Sequence, residues 1–335
     1  MNKVAVTGAN GFVGSNVVRA LLAEECQVVG LVRSSSNLRN IADLDLELRY
    51  VDIRERLSLE APFQEVEAVI HTAALYRFWS PRPQDFYETN VRGTENVLNA
   101  AHSQGVKRVV ITSTASLLTQ NDGKQTLPED SAEAVGLYKQ TKLEAERLAL
   151  KFERQTDLEV LIASPTVPIG KGDKGPTPTG RLILDFLKGQ MRGYLEMYFN
   201  VVDVEDVALG HYLALKRGNS GTRYVLGNRN MKLSKLLWLA AKLTGKRAPR
   251  FKIPYPLAIS AAAFDQLIED KILGGEPTIP MDAVRSTACD ERVYPPTGHP
   301  DLRLPRVPIV KALWKSISWF YANGYIEGGK EVRSE

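Results

Sequence analysis

Short runs of consecutive apolar residues recur through the first half of the chain, separated by stretches in which apolar residues return every three or four positions. Val4-Ala5-Val6 is the first run, and helical spacing follows from Phe12 to Ala23. Val28 to Val32 predicts a second strand, Leu48 to Val51 a third and Ala68 to His71 a fourth. A helix from about Asn90 to Ser103 leads to a fifth strand at Val109 to Thr112. A long amphipathic helix over Glu133 to Gln155 leads to a sixth at Val160 to Ala163. Unbroken apolar strands alternating with helices imply an α/β fold with a parallel sheet covered on both faces. Such sheets bind ligands beyond the carboxyl ends of their strands, where the strand order reverses.

The texture changes after Ser164-Pro165. Gly170 to Gly180 is rich in glycine and proline and reads as a loop, and Pro295 to Pro308 is rich in turns. Residues 1–164 therefore form the core of the sheet domain. Residues 165–330 form mainly a smaller lobe, with 200–215 returning to the sheet domain. The apolar segment Pro256 to Leu273 is read as a helix packed into the small lobe, in preference to one lying on a membrane surface.

A chain of 335 residues can bury a large core. Its net charge of +4 is mild, and the basic residues are scattered. That pattern argues against a nucleic-acid partner. Two cysteines, Cys26 and Cys289, make neither a disulfide framework nor a metal cage, so no metal is expected. A strand begins almost at the N-terminus, and no apolar run reaches the roughly 20 residues of a membrane span. A cytoplasmic protein without an integral membrane span is expected, acting on a small-molecule substrate.

The first strand runs into Thr7-Gly8-Ala9-Asn10-Gly11-Phe12-Val13-Gly14. Gly8 suits a tight turn, Gly11 a close backbone approach to a pyrophosphate, and Gly14 close contact of helix and sheet. The helix opening at Phe12 and Val13 offers free N–H groups and the positive end of its dipole to phosphates. The second strand ends in Arg33 where an acid would hold the ribose 2′-OH of NAD, and Ser34, Ser35 and Ser36 follow. A guanidinium and hydroxyls suit a 2′-phosphate, which points to NADP(H) over NAD(H), and Arg39 adds a second charge. Asp52 and Ile53 follow the third strand, and Thr72, Ala73 and Ala74 the fourth, where small residues leave room for adenosine. Asp52 is a candidate acceptor for the adenine amino group. His71 is read as the end of a buried strand.

Tyr138 and Lys142 lie four apart on a predicted helix and so share a face. An ammonium beside a phenol is expected to lower its pKa from about 10. Tyr138 is then the candidate acid/base at a carbonyl or alcohol oxygen, with Thr114 adding a hydroxyl and Thr112 and Lys142 at the cofactor. Tyr76, Phe78 and Trp79 are candidate walls of a substrate pocket.

The glycine turn, Asn90-Val91-Arg92-Gly93-Thr94, Thr114, Tyr138-x-x-x-Lys142 and Val202-Asp203-Val204-x-Asp206-Val207 make the chain resemble the extended short-chain dehydrogenase/reductases over essentially its full length. Within them it is similar to the dihydroflavonol-reductase-like branch, and more narrowly to the hopanoid-associated sugar epimerases. The narrower likeness rests on Tyr76 to Pro81, Pro176 to Arg181 and Trp319 to Tyr325. The resemblance implies a Rossmann doubly wound sheet with a smaller C-terminal substrate lobe, and a Thr114-Tyr138-Lys142 trio. It also implies that Asn90 supports the helix carrying the tyrosine and that Pro165 and Val167 contact the nicotinamide carboxamide. A homodimer through the Asn90 and Tyr138 helices is a further implication, unless their outer faces pack within one chain.

Nucleotide-sugar enzymes of this kind carry an asparagine after the sixth strand, and sugar dehydratases an acidic pair after the catalytic hydroxyl. Here those places hold Ala163-Ser164-Pro165-Thr166-Val167 and Ala115-Ser116. The leading expectation is an NADP(H)-dependent oxidoreductase acting on the carbonyl or alcohol of a bulky substrate. A sugar epimerase is second, and a non-catalytic dinucleotide sensor third.

Overall fold

The computed structural model describes residues 3–121, 124–128, 134–269, 275–288 and 302–326. In chain order the strands are β1 (Lys3–Thr7), β2 (Gln27–Val32), β3 (Glu47–Tyr50), β4 (Ala68–His71), β5 (Arg108–Thr112), the hairpin pair β6 (Thr119–Asn121) and β7 (Lys124–Thr126), β8 (Glu159–Pro165), β9 (Val167–Ile169), β10 (Gly193–Tyr194), β11 (Tyr198–Asp203), β12 (Arg223–Leu226), β13 (Arg229–Lys232) and β14 (Phe251–Lys252). The helices are α1 (Phe12–Ala23), α2 (Gln84–Tyr87), α3 (Gly93–Ser103), α4 (Leu137–Gln155), α5 (Pro178–Leu187), α6 (Val204–Arg217), α7 (Leu233–Thr244), α8 (Tyr255–Gln266), α9 (Met281–Ala288) and α10 (Ile309–Ala322).

Seven strands in the order β12-β8-β5-β4-β1-β2-β3 make one sheet, and every pairing in it is parallel. The two-residue pleat sorts each strand into two cores. Val4 and Val6 enter the core under α1 and α6, while Ala5 between them enters the core under α3 and α4. Ile70 and Val69 divide in the same way, as do Leu161 and Ile162. This Rossmann arrangement reverses direction between β1 and β4, which opens a crevice beyond their carboxyl ends.

A third core gathers Ile169, Phe186, Leu236, Leu313 and Phe320 around the small sheet β13-β11-β9. Its link to the large sheet is ionic as well as apolar. Asp203 caps α6 through the Glu205 N–H at 2.9 Å and receives a 2.7 Å bond from Lys315 on α10. Asp206 accepts the Val307 N–H at 2.9 Å. The acids of the Val202 to Val207 motif thus tie α6 to the C-terminal segment.

Several expectations are corrected. The helix expected from Asn90 begins at Gln84 and passes through a π turn at Glu88–Arg92 before continuing as α3. Glu133 lies outside the described residues, and α4 begins only after Gly136, whose φ of +84° no helix accommodates. A seventh strand, β12, adds to the sheet beside β8. Segment 200–215 spans the end of β11 and most of α6, which packs on α1. The reading of Pro256 to Leu273 as core is overturned over its described part. Only Ala262 of α8 is buried, while Leu257, Phe264 and Leu267 are exposed. Residues 270–273, Cys289 and 295–301 lie outside the described residues, and Cys26 is a half-buried free thiol. Among the described residues no helix is long and apolar enough to cross a membrane.

Candidate active site

The chain turns sharply out of β1. Gly8 has a φ of +66°, and its N–H donates to the Leu31 carbonyl at 3.0 Å. A side chain there would press on Ala73, with a Cβ 2.9 Å from the Ala73 Cα. At Gly14 a Cβ would stand 2.2 Å from the Gly8 carbonyl and 2.7 Å from the Thr72 hydroxyl, so α1 can approach β4 only without one. Gly11 is exposed, and a Cβ there would meet only the Gly8 carbonyl, at 3.2 Å. No side chain caps the N-terminus of α1, and its first turn holds no acid. A bare helix N-terminus behind a side-chain-free turn fits a pyrophosphate. Phe12 and Val13 begin the helix, and Asn10 donates from its side chain to the Asn37 carbonyl at 3.2 Å.

Arg33, Ser34 and Ser35 are exposed just past β2. Asp52, beyond β3, is held by Arg54 through bonds of 2.6 to 3.1 Å. Arg54 first, and Arg33 least among the causes, hold its carboxyl below the usual range. Arg33 and Asp52 therefore face the same end of the crevice. Ile53 points into the core, against the space that Gly93 leaves by lacking a side chain. Thr72 bonds the Thr7 carbonyl at 2.7 Å, and Ala73 and Ala74 follow at the rim.

Thr112 ends β5, Thr114 caps the short helical turn just beyond it, and Tyr138 and Lys142 stand one turn apart on α4. The Lys142 ammonium donates to the Thr112 carbonyl at 2.5 Å. Burial pulls its pKa down to about 8, against an upward pull from Glu146. Burial, then Tyr76, pushes the Tyr138 phenol up, and the Thr114 hydroxyl facing it pulls down by less. The expected lowering of Tyr138 by Lys142 is thus corrected, because the amine is directed at Thr112 and the phenol is desolvated. Pro165 ends β8 and Val167 opens β9, on the same rim beside β5.

Asn90 does more than support one helix. Its amide donates to Thr141 on α4 at 3.0 Å and to the Leu75 carbonyl at 3.2 Å, and its oxygen accepts the Leu75 N–H at 2.7 Å. This clamp sets Tyr76 against Tyr138, with ring centroids 4.6 Å apart. Phe78 and Trp79 are half-buried further along the same loop. His71 bonds the hydroxyls of Thr7 and Thr94 at 2.7 and 3.1 Å, and burial drives its pKa to about 3. It is a neutral strut between strands and α3.

Some supporting residues escaped the sequence reading. Glu146, fully buried one turn beyond Lys142, accepts from Ser113 at 2.5 Å and from Arg223 at 2.6 Å. Its spacing of four residues from Lys142 on the same helix is the signal by which the sequence could have marked it. His211 on α6 donates from Nδ1 to the Val207 carbonyl at 2.8 Å and accepts the Thr112 hydroxyl at 2.9 Å. Nothing local in the sequence marks that pairing.

Residues 4–227 match the model of the NAD dependent epimerase/dehydratase family. A putative dihydroflavonol 4-reductase from Synechocystis sp. is 36% identical over 96% of this chain and 95% of its own length. The sterol demethylase protein B of Methylococcus capsulatus is 30% identical over 96% of this chain and 99% of its own. The crystal structure of gox2253 superposes with a TM-score of 0.84 at 32% identity, covering 98% of this chain and all of that one. With the glycine turn, the rim hydroxyls and the tyrosine–lysine pair, these likenesses decide the class. The chain belongs to the NAD dependent epimerase/dehydratase family, as an NAD(P)-dependent enzyme of the extended short-chain dehydrogenase/reductase type.

Proposed function

We propose that the protein is an NADP(H)-dependent reductase, or in reverse an alcohol dehydrogenase, for a bulky and predominantly apolar substrate. The observation that carries this reading is the Tyr138 phenol, desolvated at the sheet's rim between the Thr114 hydroxyl and the Tyr76 ring. When bound, the dinucleotide supplies the hydride. Gly8, Gly11, Gly14 and the start of α1 hold its pyrophosphate, Arg33 and Ser34 its 2′-phosphate, and Pro165 and Val167 flank its nicotinamide end. Tyr138 gives its proton to the substrate oxygen, because a phenol with a raised pKa is protonated at neutral pH. Thr114 orients that oxygen, and Lys142, fixed on Thr112, keeps positive charge beside the phenolate that results.

Three features favour net reduction over epimerisation. Arg33 suits the reducing cofactor. The run after β8 has no asparagine, and Asn200 nearby is fully buried and bonded to Thr166, Asn228 and Asn230. The relatives named above carry the names of a flavonoid reductase and a sterol-modifying protein, both of which imply ring systems rather than sugars. We also read the protein as a homodimer through α3 and α4, with Tyr87 at the end of α2 and Leu137 at the start of α4 exposed.

The test is a screen of polycyclic ketones, acyl carbonyls and sugars, followed by nicotinamide absorbance. Tyr138→Phe should retain cofactor binding and lose about 10²- to 10⁴-fold in turnover. Arg33→Asp should weaken NADPH far more than NADH. Full turnover in Tyr138→Phe, or sugar interconversion with no net absorbance change, would overturn the reading.

A further inference from the structure

Residues 170–175 cross the first turn of α1 and are laced to it by asparagines. Asn16, on α1, donates to the Phe12 and Lys171 carbonyls at 2.8 and 3.0 Å. Asn40 donates to the Asn10 carbonyl at 3.1 Å and the Gly172 carbonyl at 2.9 Å. The Asn37 side chain accepts the Arg39 N–H at 3.0 Å. The glycine turn, the segment after β2 and this loop therefore form one wall at the phosphate end of the crevice.

Lys174 sits in that wall. Its backbone carbonyl accepts the Tyr325 hydroxyl, and the Tyr325 ring packs against Trp319 and Phe320 at centroid distances of 5.5 and 5.4 Å. The C-terminal aromatic motif thereby anchors the loop. The Lys174 nitrogen is buried and has no hydrogen-bond partner. Burial first, and the charge of Arg39 second, pull its pKa down. The adjacent acid does not answer it, because Asp173 accepts the Thr177 N–H at 2.9 Å and hydroxyl at 2.8 Å. An ammonium with three donors and a neighbouring guanidinium calls for a multiply charged oxyanion.

We propose that Lys174 and Arg39 form a phosphoryl-binding site at the edge of the crevice, taking a phosphoryl group of the dinucleotide. This rests on the cofactor reading above. A 2′-phosphate and the pyrophosphate share the required chemistry, and the experiment separates them. The small lobe would then sense the cofactor directly, through a loop that the sheet domain does not itself supply.

The full chain and its Lys174→Gln, Lys174→Arg and Arg39→Gln variants would be titrated calorimetrically with adenosine 2′-monophosphate, ADP and adenosine. Lys174→Gln should weaken one or both phosphorylated ligands by about tenfold or more, Lys174→Arg should retain most of the affinity, and adenosine should be unaffected. Loss confined to adenosine 2′-monophosphate assigns the site to the 2′-phosphate, and loss confined to ADP assigns it to the pyrophosphate. Unchanged affinities in Lys174→Gln, or an equal loss for adenosine, would overturn this inference alone. Wild-type protein that binds neither phosphorylated ligand would sink the cofactor reading together with it.

Discussion

The rings of Tyr76 and Tyr138 lie 4.6 Å apart between centroids and are tilted by 47°. An aromatic pair of this kind contributes about 0.5–1.5 kcal/mol beyond its buried area. Tyr76 comes from the loop after β4 and Tyr138 from α4, so the contact couples the substrate side of the site to the acid/base. Tyr76→Ala should lower kcat/KM by roughly tenfold, while Tyr76→Phe keeps the ring and most of the activity. Steady-state kinetics on the best substrate from the screen checks both.

Glu146 holds Arg223 and Ser113 in the core behind Lys142. Glu146→Gln leaves the guanidinium without its counter-charge and should cost about 3 kcal/mol or more of unfolding free energy. It also removes the group that raises Lys142, so that amine should titrate below its value of about 8. Denaturant unfolding reads the first effect, and a pH–rate profile reads the second as a limb displaced to lower pH.

His71 is neutral in the folded protein down to about pH 3, whereas in the unfolded chain it takes up a proton near 6.5. Its contribution to stability is complete above about 6.5 and is lost as pH falls towards 3. His211, driven to about 4, has the same sign. Asp173 and Asp206, raised by burial to about 6, have the opposite sign and favour the folded state on acidification. The Tm gap between wild type and His71→Asn should therefore narrow as pH falls from about 6.5, which a Tm series across pH measures.

Two glycines of one turn should respond differently. At Gly14 a methyl would collide with the Gly8 carbonyl at 2.2 Å, so Gly14→Ala should lower Tm sharply and abolish dinucleotide binding. At Gly11 it would meet only one atom, at 3.2 Å, and otherwise faces the crevice. Gly11→Ala should stay within about 0.5 kcal/mol of wild-type stability yet bind cofactor poorly. Thermal melts and nucleotide fluorescence titrations separate the two.

Strand and helix placement in the first half was legible because each strand is covered on both faces and so reads as an unbroken apolar run. β12 was not legible. Arg-Tyr-Val-Leu is short and carries an arginine whose partner, Glu146, is distant in sequence. α8 misled for the reverse reason, since an apolar composition does not say which face is covered. At the site, Gly8, Gly14, Tyr138 and Lys142 announced themselves by fixed local spacing. Asn40 and His211 act through partners brought together only by the tertiary fold, which also leaves the Lys174 nitrogen buried without a hydrogen-bond partner, and no spacing encodes either outcome.

The outer surface of α1 rests on α6, a helix the chain supplies only after it has built β9 and β11 in the smaller lobe. A ribosome that has released only the first 164 residues has therefore made a half-covered sheet, with the surface that α6 will cover still open to water. Cutting the gene at that apparent boundary would leave an aggregation-prone fragment rather than a portable nucleotide module.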